Sequence, residues 1–68
     1  MDGNTKIQEL VAEVLDKQPN FDESFVAQGG DSFRAIVLME RLAEEVQFNV
    51  ELEQLLSTAS LRSVLSLT

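Results

Sequence analysis

Four consecutive residues, Gly29-Gly30-Asp31-Ser32, form the pattern in this chain best suited to chemistry. Paired glycines allow backbone conformations closed to other residues and leave little bulk beside Asp31 and Ser32. The apolar spacing downstream predicts a helix opening at Ser32. Its hydroxyl would then sit where unpaired N–H groups and the helix dipole favour an anionic group. A serine placed this way is suited to accept or hold a phosphate. It is not suited to act alone as a nucleophile, because the chain contains no histidine to take its proton. A P-loop is excluded as well: Phe33-Arg34 stand where Gly-Lys-Ser/Thr would be required, and no strand precedes them. A blander reading uses the same residues, with Gly-Gly closing a loop and Asp31 or Ser32 capping a helix. The tetrapeptide by itself leaves both readings open.

The elements around it read as helices. Ile7, Leu10, Val11, Val14 and Leu15 fall at i, i+3, i+4, i+7 and i+8, one apolar stripe of a first helix over about 5–17. Asn4 or Thr5 can cap its start, Thr5 and Gln8 have capping-box spacing, Lys17 lies in the last turn, and Pro19 forbids continuation. From Gln18 to Asp31 the pattern breaks at Pro19, Asn20, Asp22, Ser24, Gly29 and Gly30. A connection of this length usually has a task, and Phe21, Phe25 and Val26 within it predict pinning to the core, with Phe25 the anchor.

A second helix is expected from Ser32 to about Val46, with Ala35, Leu38, Met39, Leu42 and Val46 as its core stripe. Asp31 before it is a favourable cap and sets negative charge at the positive end of the dipole. Phe33, Ile36 and Val37 lie off that stripe among Arg34, Glu40, Arg41 and Glu44. Either the helix is gripped from several sides, or these residues form a partner-binding patch with a charged rim. Leu52, Leu55 and Leu56 suit a short third helix, and Ser60 caps a last one carrying Leu61, Val64 and Leu65. The best strand candidate, Phe48 to Leu52, has nothing to pair with. The expectation is an all-α fold: a small four-helix bundle, 1–68 as a single domain, with a long loop between helices 1 and 2.

Composition narrows the chemistry further. The chain has 68 residues, 12 acidic and 5 basic side chains, a net charge of −7, and no cysteine or histidine. No imidazole base, thiolate or ordinary zinc site can form, so no residue is assigned a catalytic or metal-binding role. No basic cluster exists to displace phosphate counterions, which argues against nucleic acid. The N-terminus is polar and acidic, unlike a signal peptide, and the longest apolar run, Ala35 to Met39, is far short of a membrane span. These features predict a cytoplasmic, monomeric module without membrane contact.

The stretch Glu23-Ser24-Phe25-Val26-Ala27-Gln28-Gly29-Gly30-Asp31-Ser32-Phe33-Arg34-Ala35 closely resembles the 4′-phosphopantetheine attachment motif of carrier proteins. Its Gly-Gly-Asp-Ser resembles the peptidyl carriers of nonribosomal peptide synthesis, and the helical pattern extends the resemblance over nearly the whole chain. It implies that Ser32 takes the phosphopantetheine arm from coenzyme A under a phosphopantetheinyl transferase, with Asp31 and Gly30 shaping the site. The chain would be a carrier serving other enzymes, tethering aminoacyl or acyl intermediates as thioesters. The implied partners are an adenylation or other acyl-loading enzyme and downstream condensation, ketosynthase, transferase or tailoring enzymes. The pathway would be nonribosomal peptide or hybrid polyketide synthesis, including antibiotics. Phe33, Arg34, Ile36, Val37, Glu40 and Glu44 match the surface such carriers show to partners, with Glu51 and Glu53 extending its acidic rim.

Departures from the family pattern are specific. Phe33 replaces the usual leucine after the serine, which implies tuned partner choice. Ala59-Ser60-Leu61 stands for the usual Pro-Thr-Leu, and the third helix is about two residues short. The acidity, and Met1 just ahead of the first helix, fit a free-standing carrier; a trimmed synthetase domain would look alike. Two rivals use the same residues: a helical interaction module in which Ser32 is only a cap, and an adaptor phosphorylated at that serine.

Overall fold

The computed structural model describes residues 3–67. In chain order it contains α1 (Gly3–Leu15), a 3₁₀ turn (Val26–Gln28), α2 (Ser32–Glu45), α3 (Leu52–Leu55) and α4 (Leu61–Val64). The expected all-α order of two long and two short helices holds, and the described residues contain no strand beyond an isolated Ser24–Ser60 bridge. None of these helices is long and apolar enough to cross a membrane.

The apolar stripes face one core. Ile7, Leu10, Val11 and Leu15 of α1 meet Ala35, Leu38 and Leu42 of α2, while Val14, Met39 and Val46 pack partly buried at its edge. Leu55, Leu61, Leu65 and Leu67 close the far side. The bounds of α1 differ from expectation. It runs through Gly3, so Asn4 and Thr5 are interior residues and the cap lies outside the described residues. It also stops at Leu15, two residues before Lys17. Asp16 adopts a left-handed φ of 58°, and the Lys17 N–H donates back to Ala12 O at 3.3 Å, a Schellman ending that satisfies a terminal carbonyl.

The long connection is anchored as the aromatic pattern requires: Phe25 is 1% exposed in the core, and Pro19 is buried. A second anchorage has no counterpart in the sequence pattern. The first amides of α4 donate to loop carbonyls, Leu61 N–H to Glu23 O at 2.9 Å and Arg62 N–H to Phe21 O at 2.8 Å. Arg62 Nε also donates to Asp22 Oδ1 at 2.9 Å, and Ser60 caps α4 by accepting from the Ser63 N–H. Helix-start donors that usually face water or a side chain thus sew the loop to the C-terminal helix.

Ion pairs tie α1 to α2. The Arg41 guanidinium meets Glu13 at 2.7 Å and Glu45 at 2.8 Å, and Lys6 meets Glu45 at 3.2 Å. The two cations hold the Glu45 carboxyl below the usual carboxylate range, Arg41 more than Lys6, and the carboxylates push the Arg41 guanidinium up. A carboxylate depressed in the fold stabilises above its unfolded pKa, and that stabilisation fades as pH falls through the folded value. The Tm difference between the native chain and Glu45→Gln should therefore be present at neutral pH and shrink toward zero in acid. An unchanged difference at low pH would show that these pairs do not contribute.

Candidate functional site

Gly30, Asp31 and Ser32 are consecutive at the start of α2, with Gly30 and Asp31 each held by a different device. Gly29 turns the chain with a left-handed φ of 98°, and the Gly30 N–H donates to Phe25 O at 3.0 Å. The α-carbon of Gly30 lies against the Phe25 ring, and a Cβ there would overlap the ring carbons. Asp31 is the N-cap of α2, with extended backbone (φ −102°, ψ −176°), and its Oδ1 accepts from the Arg34 N–H at 2.9 Å. The cap is therefore Asp31, which frees Ser32 from that duty. Ser32 is the first residue of the 14-residue α2, is exposed, and its hydroxyl makes no hydrogen bond to any described residue.

The chemistry open to this hydroxyl is set by its surroundings. It projects at a helix N-terminus, where the opening N–H groups lack helical partners and the dipole is positive. A phosphodiester on the exposed Ser32 Oγ would meet the positive end of the α2 dipole, beside the Asp31 carboxylate that caps it. The residues present fit a phosphate-linked group.

Beyond Ser32, α2 presents Phe33, Ile36, Val37, Glu40 and Glu44 along one side, at helical spacings of three and four. Phe33 is 74% and Ile36 45% exposed, Val37 is half-buried, and Glu40 and Glu44 are exposed. Phe33 and Ile36 are therefore not gripped from several sides, and Val37 sits at the edge of this exposed apolar surface. Val26 of the 3₁₀ turn and Leu56 after α3 are further exposed apolar side chains, at 47% and 36%. Arg34 departs from this surface in part. Its Nη1 donates to Leu15 O at 3.3 Å and so binds the last carbonyl of α1, where the helix dipole favours a cation. Glu51 is the N-cap of α3, with the Gln54 side chain accepting its N–H at 3.0 Å, and Glu53 is exposed.

One residue near the site escapes a reading by residue type. Gln28 is only 7% exposed, although glutamine is usually a surface residue. Its neighbours in sequence carry no signal of burial, because its hydrogen-bond partners are backbone atoms of residues four to eight positions earlier.

The family described as "Phosphopantetheine attachment site" matches residues 5–67. Among curated proteins, the nonribosomal peptide synthetase easA of Emericella nidulans is 40% identical over 62 residues, covering 85% of this chain. The chain spans about 1% of the length of that relative. No solved structure matches. With a match over almost the whole chain and an exposed serine at the helix start, this chain belongs to the phosphopantetheine attachment-site family, whose domains carry a covalently bound 4′-phosphopantetheine.

Proposed function

We propose that Ser32 is the attachment residue and that the chain acts as a peptidyl-type carrier in nonribosomal peptide or hybrid polyketide synthesis. The observation that carries this reading is the free Ser32 hydroxyl at the start of α2, with Gly30 pinned behind it and the capping duty taken by Asp31. In the loading step, Ser32 Oγ forms a bond to phosphorus of the coenzyme A diphosphate. The phosphoanhydride bond breaks and the nucleotide leaves. The hydroxyl proton passes to a base on the transferase, since this chain has no histidine. The bound arm supplies a terminal thiol, on which acyl or aminoacyl groups ride as thioesters. Residues 1–68 serve as one carrier domain that holds its cargo at high effective concentration for partner enzymes and catalyses nothing itself. The nonribosomal assignment is supported by the synthetase relative and by the Gly-Gly-Asp-Ser sequence.

Incubation with coenzyme A and a broad-specificity phosphopantetheinyl transferase, followed by intact mass and peptide mapping, tests the reading. One adduct on the peptide containing Ser32 is expected; folded protein that takes up none refutes the carrier function. The partner face is Phe33, Ile36 and Val37 with the Glu40 and Glu44 rim, and Arg34 contributes what reach its bond to Leu15 leaves. Phe33→Ala should raise the KM of a loading enzyme for the carrier about tenfold, as loss of an exposed aromatic anchor does. Its stability should stay within about 0.5 kcal/mol of the native chain, because Phe33 is mostly in water. A large drop in Tm would make Phe33 a packing residue.

A further inference from the structure

The Gln28 side chain bonds the backbone of three loop residues, Asn20, Glu23 and Ser24. Its Oε1 accepts from the Asn20 N–H at 2.8 Å, and its Nε2 donates to Asn20 O at 2.7 Å and to Ser24 O at 3.0 Å. Glu23 O lies at 3.4 Å from the same nitrogen and shares one of its protons. The amide thus pairs with both polar groups of one backbone unit and with two further carbonyls, all within the connection between α1 and α2. Buried polar side-chain atoms without a partner are absent among the described residues, so this network is complete.

The position of this clamp gives it a consequence for Ser32. Gln28 ends the 3₁₀ turn; its own N–H donates to Phe25 O at 3.3 Å, and two residues later the Gly30 N–H donates to the same carbonyl at 3.0 Å. The backbone held by Gln28 is therefore the backbone that seats Gly30 on the Phe25 ring and delivers Asp31 to its cap. The segments it grips, Asn20 and Glu23-Ser24, adjoin those tied to α4 through Phe21 O, Glu23 O and the Ser24–Ser60 bridge. Fixed points lie on both sides of the loop, and Gln28 joins them to the last four residues before Ser32.

We propose that Gln28 is a positioning residue for the modification of Ser32, preorganising the loop so that a transferase meets the serine already in its reactive pose. This rests on Ser32 being the attachment residue. Without the clamp, the stretch from Val26 to Asp31 would lose its side-chain tie to Asn20 and Ser24, and that part of its ordering would come only on docking. The ordering cost would then fall on binding rather than on the chemical step, because the bound complex has the same serine in the same place.

The test is steady-state kinetics of phosphopantetheinyl transfer, with the carrier varied and its folded fraction checked by circular dichroism at the assay temperature. Gln28→Met keeps length and volume and removes every hydrogen bond of the side chain. Its KM should rise roughly fivefold or more, the equivalent of one or more lost hydrogen bonds, with kcat within about twofold. Gln28→Glu keeps the acceptor and loses the donors, and should shift KM in the same direction; it carries the comparison should the methionine variant fail to fold. Val11→Ala, a core change in α1, serves as the stability control and should leave KM unchanged while lowering Tm. An unchanged KM in the folded Gln28 variants, or an equal rise in Val11→Ala, overturns the positioning role. If the native chain itself takes up no adduct at Ser32, the attachment reading fails instead, and the two failures are told apart by that one measurement.

Discussion

Ser32→Ala should abolish uptake of phosphopantetheine completely while leaving the fold intact. The hydroxyl oxygen is the atom that forms the new bond to phosphorus, and no neighbouring side chain can replace it in that position. Structurally the oxygen is dispensable. Ser32 is exposed, makes no hydrogen bond to the described residues, and does not cap α2, since the Asp31 carboxylate takes the Arg34 N–H. The change in stability should stay within about 0.5 kcal/mol, read as coincident urea melts. Intact mass after a transferase reaction gives the answer: an adduct on the alanine variant would place the attachment elsewhere. Unmodified but unfolded protein would mean that Ser32 has a structural role the geometry does not contain.

The second large effect is on stability and falls on Gly30. In Gly30→Ala the new Cβ would overlap the Phe25 ring at Cγ, Cδ2 and Cε2, the body of a side chain and not a flexible tip. Phe25 cannot retreat, because it is 1% exposed and packed within the core. Overpacking of this kind costs about 1–3 kcal/mol and occasionally more. The upper end is expected here, since the backbone is also held by the Gly30 N–H bond to Phe25 O. A domain of about this size has only roughly 3–5 kcal/mol to lose, so a substantial unfolded fraction should appear at room temperature. Gly29→Ala is the informative comparison. Nothing lies within 4 Å of a Cβ at Gly29, so its cost is confined to the left-handed φ of 98° and should be about 1–2 kcal/mol. Chemical melts of the two variants decide the matter: equal losses would mean that the contact with Phe25 is not what requires a glycine at 30.

Much of this molecule is legible in local sequence. The stripes of α1 and α2, Asp31 as a cap, Ser60 as a cap and Phe25 as an anchor all come from spacing within one or two turns, and the structure contains each of them. The two ends of α1 depart from the spacing for a local reason of another kind. A left-handed Asp16 closes the helix before Pro19 acts, and aspartate at such a place is indistinguishable by type from an ordinary exposed residue. The capping-box spacing of Thr5 and Gln8 lies inside the helix, because helix formation extends upstream to Gly3.

Arg34 and Gln28 illustrate what residue type cannot convey. An arginine beside an exposed phenylalanine reads as part of a charged rim, yet its guanidinium reaches back to Leu15 O at the end of α1. That contact exists only because α1 and α2 pack side by side. Gln28 reads as a loop residue ahead of two glycines and is instead the buried hub of the connection.

The helices, the serine at a helix start and the family of the chain are all written in the order of its residues, since each depends on positions close together along the chain. Packing alone settles which of two adjacent glycines must lack a side chain, where the Arg34 guanidinium reaches, and how the C-terminal helix is tied to the loop that leads to Ser32. Those outcomes depend on atoms brought together from distant positions by burial of one small core. Gly29 and Gly30 are the same residue in the sequence; the Phe25 ring behind one of them makes them different.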